Sequence, residues 1–420
     1  MSGFTCATCA ETVSVDTFAP WRCPNEQGDR HHVLLINEND QHVVESHHNP
    51  FIAFRRNMMW WQFAQARGMS DERAIALVQS VDDEIAKIGG VGFATTPMVF
   101  QSALSNHLSF ESPGGVWVKD ETHNVGGSQK ARHLMSILLH LLVAEELGIA
   151  PWANSVSRPT LAISSCGNAA IAASTLAAAA KWPIDVFIPE WAGGVVVETL
   201  TALGARINRC ARQSQDPPGD PTVLRFREAV NKGSIPFSVQ GPENALCLDG
   251  GRTIGWEMAQ QFAQENIAAL DGVFVQVGGG AFAASGLSEA GINAPLVAVQ
   301  TEGCAPLSRA WNTAQSDANP AQHWTKHMWA WENEPVSLAD GILDDETYDW
   351  VADIAQIQRT SGRVVVASEL QVVEASSIAP QTTSIDASPT GTAGVAGLLS
   401  IRAELSSTAR VAVVLSGIRR

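Results

Sequence analysis

Four short stretches of the chain combine residue types that hold anions and move protons. Gly278-Gly-Gly-Ala281 follows the apolar run Val273-Phe-Val275 and precedes the small-residue stretch Phe282 to Leu287, which reads as a helix start. Consecutive glycines let backbone N–H groups converge on an anion, and a following helix adds its positive end, so Gly278, Gly279, Gly280 and Ala281 read as a phosphate cradle. Standing alone the loop would be a tight turn, because it matches neither the dinucleotide nor the Walker pattern. Lys130, in Gly126-Gly-Ser-Gln-Lys-Ala-Arg132, opens an apolar helical pattern carried by Leu134, Ile137, Leu138 and Leu141. Partial desolvation at such a place favours a neutral, reactive amine or a Schiff base; an ordinary first-turn lysine is the plainer alternative. Ser164-Ser-Cys-Gly-Asn168 leads into an alanine-rich stretch. The N–H groups of that helix start can take a carboxylate, or Ser and Asn can simply cap it. Ser416, behind the last apolar run, can offer a neutral hydroxyl to a ring nitrogen.

The elements that must position these residues are short apolar runs alternating with helical stretches. The runs are Val116-Trp-Val118, Leu161-Ala-Ile163, Val186-Phe-Ile188, Val273-Phe-Val275, Leu296-Val-Ala-Val299 and Val411 to Leu415. This alternation predicts βαβ units and a mostly parallel sheet, with ligands at the carboxyl ends of the strands, where the loops above fall. From about Pro50 to Gly90 the spacing is helical, and Ala169 to Ala180 reads as a buried helix packed on a sheet. Gln213 to Pro221, with three prolines and two aspartates, reads as a surface loop.

At 420 residues and 45% apolar content the chain can bury more than one core. A net charge of -16 argues against nucleic-acid phosphates as partners, which require clustered Lys and Arg. The expected partner is a small molecule. The first residues lack a secretory pattern and no apolar run reaches spanning length, so the expectation is a cytoplasmic protein with no membrane partner. Seven cysteines in a chain this size read as thiols and not as a disulfide framework. The histidines at 31, 32, 47, 48 and 107 lie in polar text and read as surface residues, and the thirteen tryptophans as packing.

Taken together and in order, the motifs resemble pyridoxal-phosphate enzymes of fold type II, the tryptophan synthase β-like group that includes threonine dehydratase and threonine synthase. The resemblance runs through Thr96-Pro97, Lys119-Asp-Glu121, Gly127-Ser-Gln-Lys130, Ser165-Cys-Gly-Asn168, Gly204-Ala205, Thr253-Ile-Gly-Trp-Glu257, Gly278-Gly-Gly280, Ala339-Asp-Gly341 and Ser416-Gly417, or about residues 90 to 420. It implies two open parallel-sheet α/β domains. Residues 46–130 and 237–420 would form the large cofactor domain and 131–236 the small one, behind a ribbon-like appendage at 1–45. It makes Lys130 the residue that carries the cofactor and moves protons at Cα. Gly278, Gly279, Gly280 and Ala281 would hold its phosphate, Asn168 its ring hydroxyl and Ser416 its ring nitrogen. Ser128, Ser165, Cys166 and Gly167 would bind the substrate. A homodimer is the family expectation. The sequence departs from the family at Gln129, often aromatic, at Arg132-His133, usually Arg-Gly, and at Cys166, where hydroxyl residues are common.

A neutral serine facing the ring nitrogen suits elimination better than transamination. The glycine loop, Ala339-Asp-Gly341 and Ser416-Gly417 look more like serine and threonine dehydratases. They imply a lyase that removes a β-substituent from a small amino acid through an aminoacrylate, giving an oxo acid and ammonia. The amino-terminal cysteines look like threonine synthase, so γ-elimination and replacement on a phosphorylated homoserine is the alternative, with Arg132 and Arg252 as candidates for the substrate phosphate. A non-catalytic cofactor-binding regulator is the third reading, and the presence of Lys130 favours an enzyme. Cys6-Ala-Thr-Cys9 with Cys23 offers three thiolates, whereas a closed structural zinc site takes four ligands. Glu26 stands where a fourth cysteine is expected, and His31 or His32 could complete the set; a ribbon that has lost its metal is the other reading.

Overall fold

The computed structural model describes residues 3–37, 43–285 and 291–420. The chain divides into two compact units. The first comprises Met1–Thr95, Asn124–Gly126 and Lys130–Thr253; the second comprises Thr96–His123, Gly127–Gln129 and Ile254–Arg420. The boundary near residue 253 falls inside the Leu246–Gln264 helix.

In the first unit a four-stranded parallel sheet has the order Arg206–Cys210, Ile184–Pro189, Leu161–Ser164, Ile235–Pro236. The Pro221–Asn231 helix covers one face, where Ala162, Phe187, Cys210, Phe226 and Val230 form a core. Its start is written in the sequence: Asp220 accepts from the Thr222 N–H at 2.8 Å and Pro221 fills the first turn, where no N–H is needed. The Lys130–Glu146 helix is buried nearly all round, as its run of Leu, Ile, Met and Val demands, and packs against the buried Asn168–Ala179 helix. Residues 50–90 form Pro50–Ala53, Met59–Ala66 and Asp71–Gly89, in keeping with their spacing. Gln213 to Asp220 forms the expected loop. The amino-terminal segment is an antiparallel three-stranded sheet, with Gly3–Cys6 between Thr12–Ser14 and Leu34–Ile36.

The second unit is built on a six-stranded sheet in the order Arg363–Ala367, Leu296–Thr301, Gly272–Gln276, Arg410–Leu415, Gly115–Asp120, Met98–Phe100. All neighbours are parallel except the last pair. The six apolar runs of the sequence are all strands, four here and two in the first unit. The Glu369–Thr383 and Pro389–Ile401 helices cover one face; Ser368 with Gln371 forms a capping box, and Ser388 accepts from the Gly391 N–H at 3.0 Å. Gly397 lets the second of these helices lie on the sheet, since a Cβ there would overlap the Val299 side chain. No helix among the described residues is long and apolar enough to cross a membrane.

A charged pair sits inside this unit. Lys119, on the Gly115–Asp120 strand, lies 2.6 Å from Glu257, and neither side chain is exposed. The Lys119 ammonium also donates to the Thr96 carbonyl (2.8 Å) and Gln261 Oε1 (3.0 Å). Glu257 accepts from the Thr96 N–H (3.1 Å), and the Thr96 hydroxyl donates to Glu121 at 2.5 Å. Breaking one partner of such a pair leaves a buried charge uncompensated. Lys119→Met is therefore expected to destabilise the second unit by about 3–5 kcal/mol in denaturant melts. Lys119→Met with Glu257→Leu should recover most of that loss.

Candidate functional site

In the first unit the structure puts Lys130 at the first position of the Lys130–Glu146 helix, half-buried. One turn on, His133 is fully buried and its Nδ1–H donates to the Cys247 carbonyl at 2.8 Å. Burial, and then the neighbouring Lys130 charge, push the His133 pKa down to about 3, so its imidazole is neutral. The imidazole therefore adds no charge one turn from Lys130. Arg132 is also fully buried and donates to Thr253 Oγ1 at 3.1 Å. Arg252 is buried beside Asp249 (3.3 Å) and the Asn57 carbonyl (3.4 Å). Burial raises Asp249 to about 6, opposed by Arg252 and the Met59 N–H.

Ser165, Cys166 and Gly167 form the turn from the Leu161–Ser164 strand into the Asn168–Ala179 helix, all half-buried. Gly167 is the N-cap and no side chain caps the helix, so capping by Ser or Asn168 does not account for these residues. Ser165 Oγ instead accepts from the Gly167 N–H at 3.3 Å. The result is a partly accessible helix start lined by a hydroxyl, a thiol and an amide, which suits a carboxylate.

The second unit gathers Ser128, the glycine loop and Ser416. Ser128 is buried and bridges to Gly417, and the Gln129 N–H donates to the Ser416 carbonyl at 3.1 Å. Gln276, the last residue of its strand, donates through its side-chain amide to Ser416 Oγ and to the Gly391 carbonyl (3.3 Å). Because Ser416 Oγ accepts there, its own proton remains available to another acceptor.

Gly278, Gly279 and Gly280 then lead into a helix described from Ala281 to Ala284; Leu287, to which the sequence extended this small-residue stretch, lies outside the described residues. Gly280 has φ +105°, a conformation that disfavours any side chain. A Cβ on Gly278 would lie 2.9 Å from Ile342 Cα and overlap Asp344 Oδ2; one on Gly280 would lie 2.9 Å from Asp349 Cβ and overlap Asp353 Oδ2. With side chains excluded, the loop has its main chain to offer.

Asp353 is the residue that sequence reasoning missed. It is fully buried on the Trp350–Arg359 helix, and neither carboxylate oxygen has a hydrogen-bond partner among the described residues. Burial, and then the charge of Asp349, raise its pKa well above the ordinary value. An ionised acid there would repel any anion held by the glycines; a protonated one does not. One aspartate in an amphipathic helix carries no sequence signal of this.

At the amino terminus, Cys6, Cys9 and Cys23 lie together, and His32 joins them. Glu26 is engaged elsewhere, by Arg30 at 2.9 and 3.0 Å, and His31 lies 3.6 Å from Asp29.

Comparison with known proteins bears on residues 91–417, which match the family profile described as pyridoxal-phosphate dependent enzyme. No curated protein sequence matches the chain. Among solved structures it is similar to a threonine deaminase from T.th., with TM-score 0.61 and 21% identity over 81% of this chain and 98% of that one. It is similar to the serine racemase of Dictyostelium discoideum (TM-score 0.59, 17% identity, 82% and 98%). It also resembles a fungal L-serine ammonia-lyase from Rhizomucor miehei (TM-score 0.59, 16% identity, 78% and 94%). At these identities the likeness speaks for the fold.

Asp353 sets a pH dependence whose sign follows from linkage. The folded state keeps the proton to higher pH than the unfolded chain, so the stability contribution is full at low pH and is lost as pH rises toward the folded pKa. Asp353→Asn removes this term, and the excess of its Tm over that of the wild type should widen between about pH 4 and about pH 8. A constant difference across that range would show that Asp353 does not hold its proton.

Proposed function

Because the chain belongs to the pyridoxal-phosphate dependent enzyme family, matched over residues 91–417, we propose that it is a lyase that removes the β-substituent of a small hydroxy or β-substituted amino acid. Two features fit the cofactor. The glycine loop excludes side chains and has its N–H groups to offer to a phosphate, beside Asp353, whose pKa burial pushes up. The Ser416 hydroxyl, held by Gln276, keeps its proton for an unprotonated ring nitrogen.

When bound, pyridoxal phosphate supplies an electron sink for negative charge at the substrate Cα. Lys130 would hold the cofactor and, once the substrate amine has replaced it there, would take the Cα proton, with a neutral His133 one turn behind it. The turn of Ser165, Cys166 and Gly167, with the Ser165 and Cys166 side chains and Ser128, would bind the substrate, and Asn168 would contact the ring hydroxyl. The proton taken from Cα leaves with a β-hydroxyl as water, and hydrolysis then gives the oxo acid and ammonia. Ser416 carries the choice of elimination: a neutral hydroxyl does not fix a charge on the ring, so the sink stays moderate.

The alternative, γ-elimination and replacement on a phosphorylated homoserine, needs a cation for the substrate phosphate. Arg132 and Arg252, the sequence candidates, are both buried and engaged within the first unit, which favours the unphosphorylated substrate. Racemases share the fold, so the fate of Cα is part of the test.

Serine, threonine and their β-substituted analogues are expected to release ammonia and oxo acid. Borohydride should fix cofactor mass on the peptide containing Lys130. Lys130→Ala should lower turnover at least about a hundredfold and abolish that labelling. Phosphate release from O-phosphohomoserine without oxo acid, or inversion at Cα without ammonia, would overturn the lyase reading.

A further inference from the structure

The amino-terminal sheet brings together four metal-binding side chains from three separate stretches. Cys6 ends the first strand, and Cys9 lies in the turn that follows, where the Ala10 N–H donates to the Cys6 carbonyl at 2.9 Å. Cys23 comes from the long connection between the second and third strands. His32 lies just ahead of Leu34–Ile36, whose Leu34 pairs with Cys6. One ligand atom from each of the four lies within 4.8 Å of the others.

The separations match the edges of a coordination tetrahedron. With Zn–S about 2.3 Å and Zn–N about 2.0–2.1 Å, a tetrahedral centre sets S···S edges near about 3.8 Å and S···N edges near about 3.5 Å. Cys9 Sγ to Cys23 Sγ is 3.6 Å, and Cys6 Sγ to His32 Nδ1 is 3.5 Å. A disulfide would need about 2.05 Å and would leave one thiol and one imidazole unaccounted for. Cys6 and Cys23 are buried, Cys9 is exposed and His32 half-buried, so the cluster lies at the surface but is closed on its inner side. The Asn25 side-chain amide lies 3.6 Å from Cys9 Sγ, an N–H···S contact that suits a thiolate.

The competing fourth ligands have other partners. Glu26 takes two hydrogen bonds from the Arg30 guanidinium and lies 3.7 Å from Arg22. Arg30 is itself buried and reaches Glu243 at 3.0 Å. His31 faces Asp29 and is more exposed than the cluster's core.

We propose that Cys6, Cys9, Cys23 and His32 form a structural Cys3His zinc site. With all four positions filled by protein there is no open place for substrate, so the metal holds fold and does no chemistry. What it holds is the loop between Cys9 and His32. That loop reaches the rest of the first unit at several points, among them the Asp16 carbonyl, which accepts from Arg67 Nε–H at 3.0 Å. Phe18 accepts from His140 Nε2–H at 2.6 Å, Trp21 accepts from the Ala245 N–H at 2.9 Å, and Arg30 binds Glu243, which Arg227 also contacts at 2.6 Å. His140 lies on the helix that begins at Lys130, so the zinc site braces that helix from the side away from its start.

The test uses the untagged full-length protein expressed in zinc-replete medium under thiol protection. Metal analysis should find stoichiometric zinc, and cobalt(II) exchange should give the intense visible bands of a tetrahedral thiolate site. His32→Ala should lose the metal, His32→Cys should keep it with cobalt bands shifted toward those of a four-thiolate centre, and His31→Ala should match the wild type. Chelation of the wild type should lower Tm while the borohydride-fixed cofactor remains on Lys130, which separates this site from the catalytic reading. Protein without stoichiometric metal and without cobalt bands, a Cys9–Cys23 disulfide in mass spectra of fresh protein, or metal loss in His31→Ala with retention in His32→Ala would each overturn the proposal.

Discussion

The second unit rests on two opposite charges placed where water cannot reach them. Lys119 and Glu257 come from a strand and a helix far apart in sequence, and both are fully buried. Desolvating each ion costs several kcal/mol, which the mutual attraction offsets only when the remaining donors and acceptors are also met. Thr96 and Gln261 meet them, through a carbonyl, an N–H and an amide. A one-residue slip of the Gly115–Asp120 strand would turn Lys119 to the other face and strand Glu257. The pair therefore fixes strand register by a penalty against every alternative, which a purely apolar contact would not impose as sharply. That strand's parallel partner ends at Leu415, one residue before Ser416.

The chemistry-bearing part of the second unit relies on dipoles, although Asp344, Asp349 and Asp353 all lie against its glycine loop. Its donors are main-chain N–H groups and the Ser416 hydroxyl, while burial and then the Asp349 charge push the Asp353 pKa up. Dipoles of this kind hold an anion without the cost of keeping a bare cation in a dry place. In the first unit His133 makes the same choice, staying neutral one turn from Lys130.

Much of this could be read from the residues, and the exceptions have physical causes. Runs such as Val273-Phe-Val275 are central strands buried on both faces, so they announce themselves as continuous apolar text. Arg206–Cys210 is a sheet edge with two exposed arginines and a half-buried asparagine, and its composition hides it. Arg363–Ala367 carries three valines in a row, a signal that was present and passed over. The glycine loop, Lys130 and the Ser165–Asn168 turn stand out in the sequence because the chemistry expected of them depends on residue type at fixed spacing. Asp353 was not, because its role comes from what surrounds it in space. His31 and His32 are neighbours in the chain, and no spacing rule separates them; only the pairing of Leu34 with Cys6 decides which one faces the thiols.

The four-stranded sheet of the first unit has two open edges, and both are blunted. One is Arg206–Cys210, where Arg206 is held across the strand by Asp185 at 2.7 Å. The other is two residues long and ends in Pro236, which has no N–H to give. A foreign strand seeking to extend this sheet meets fixed charge on one flank and a missing donor on the other. In the folded chain this geometry leaves no edge of the sheet ready to template an intruding β-strand.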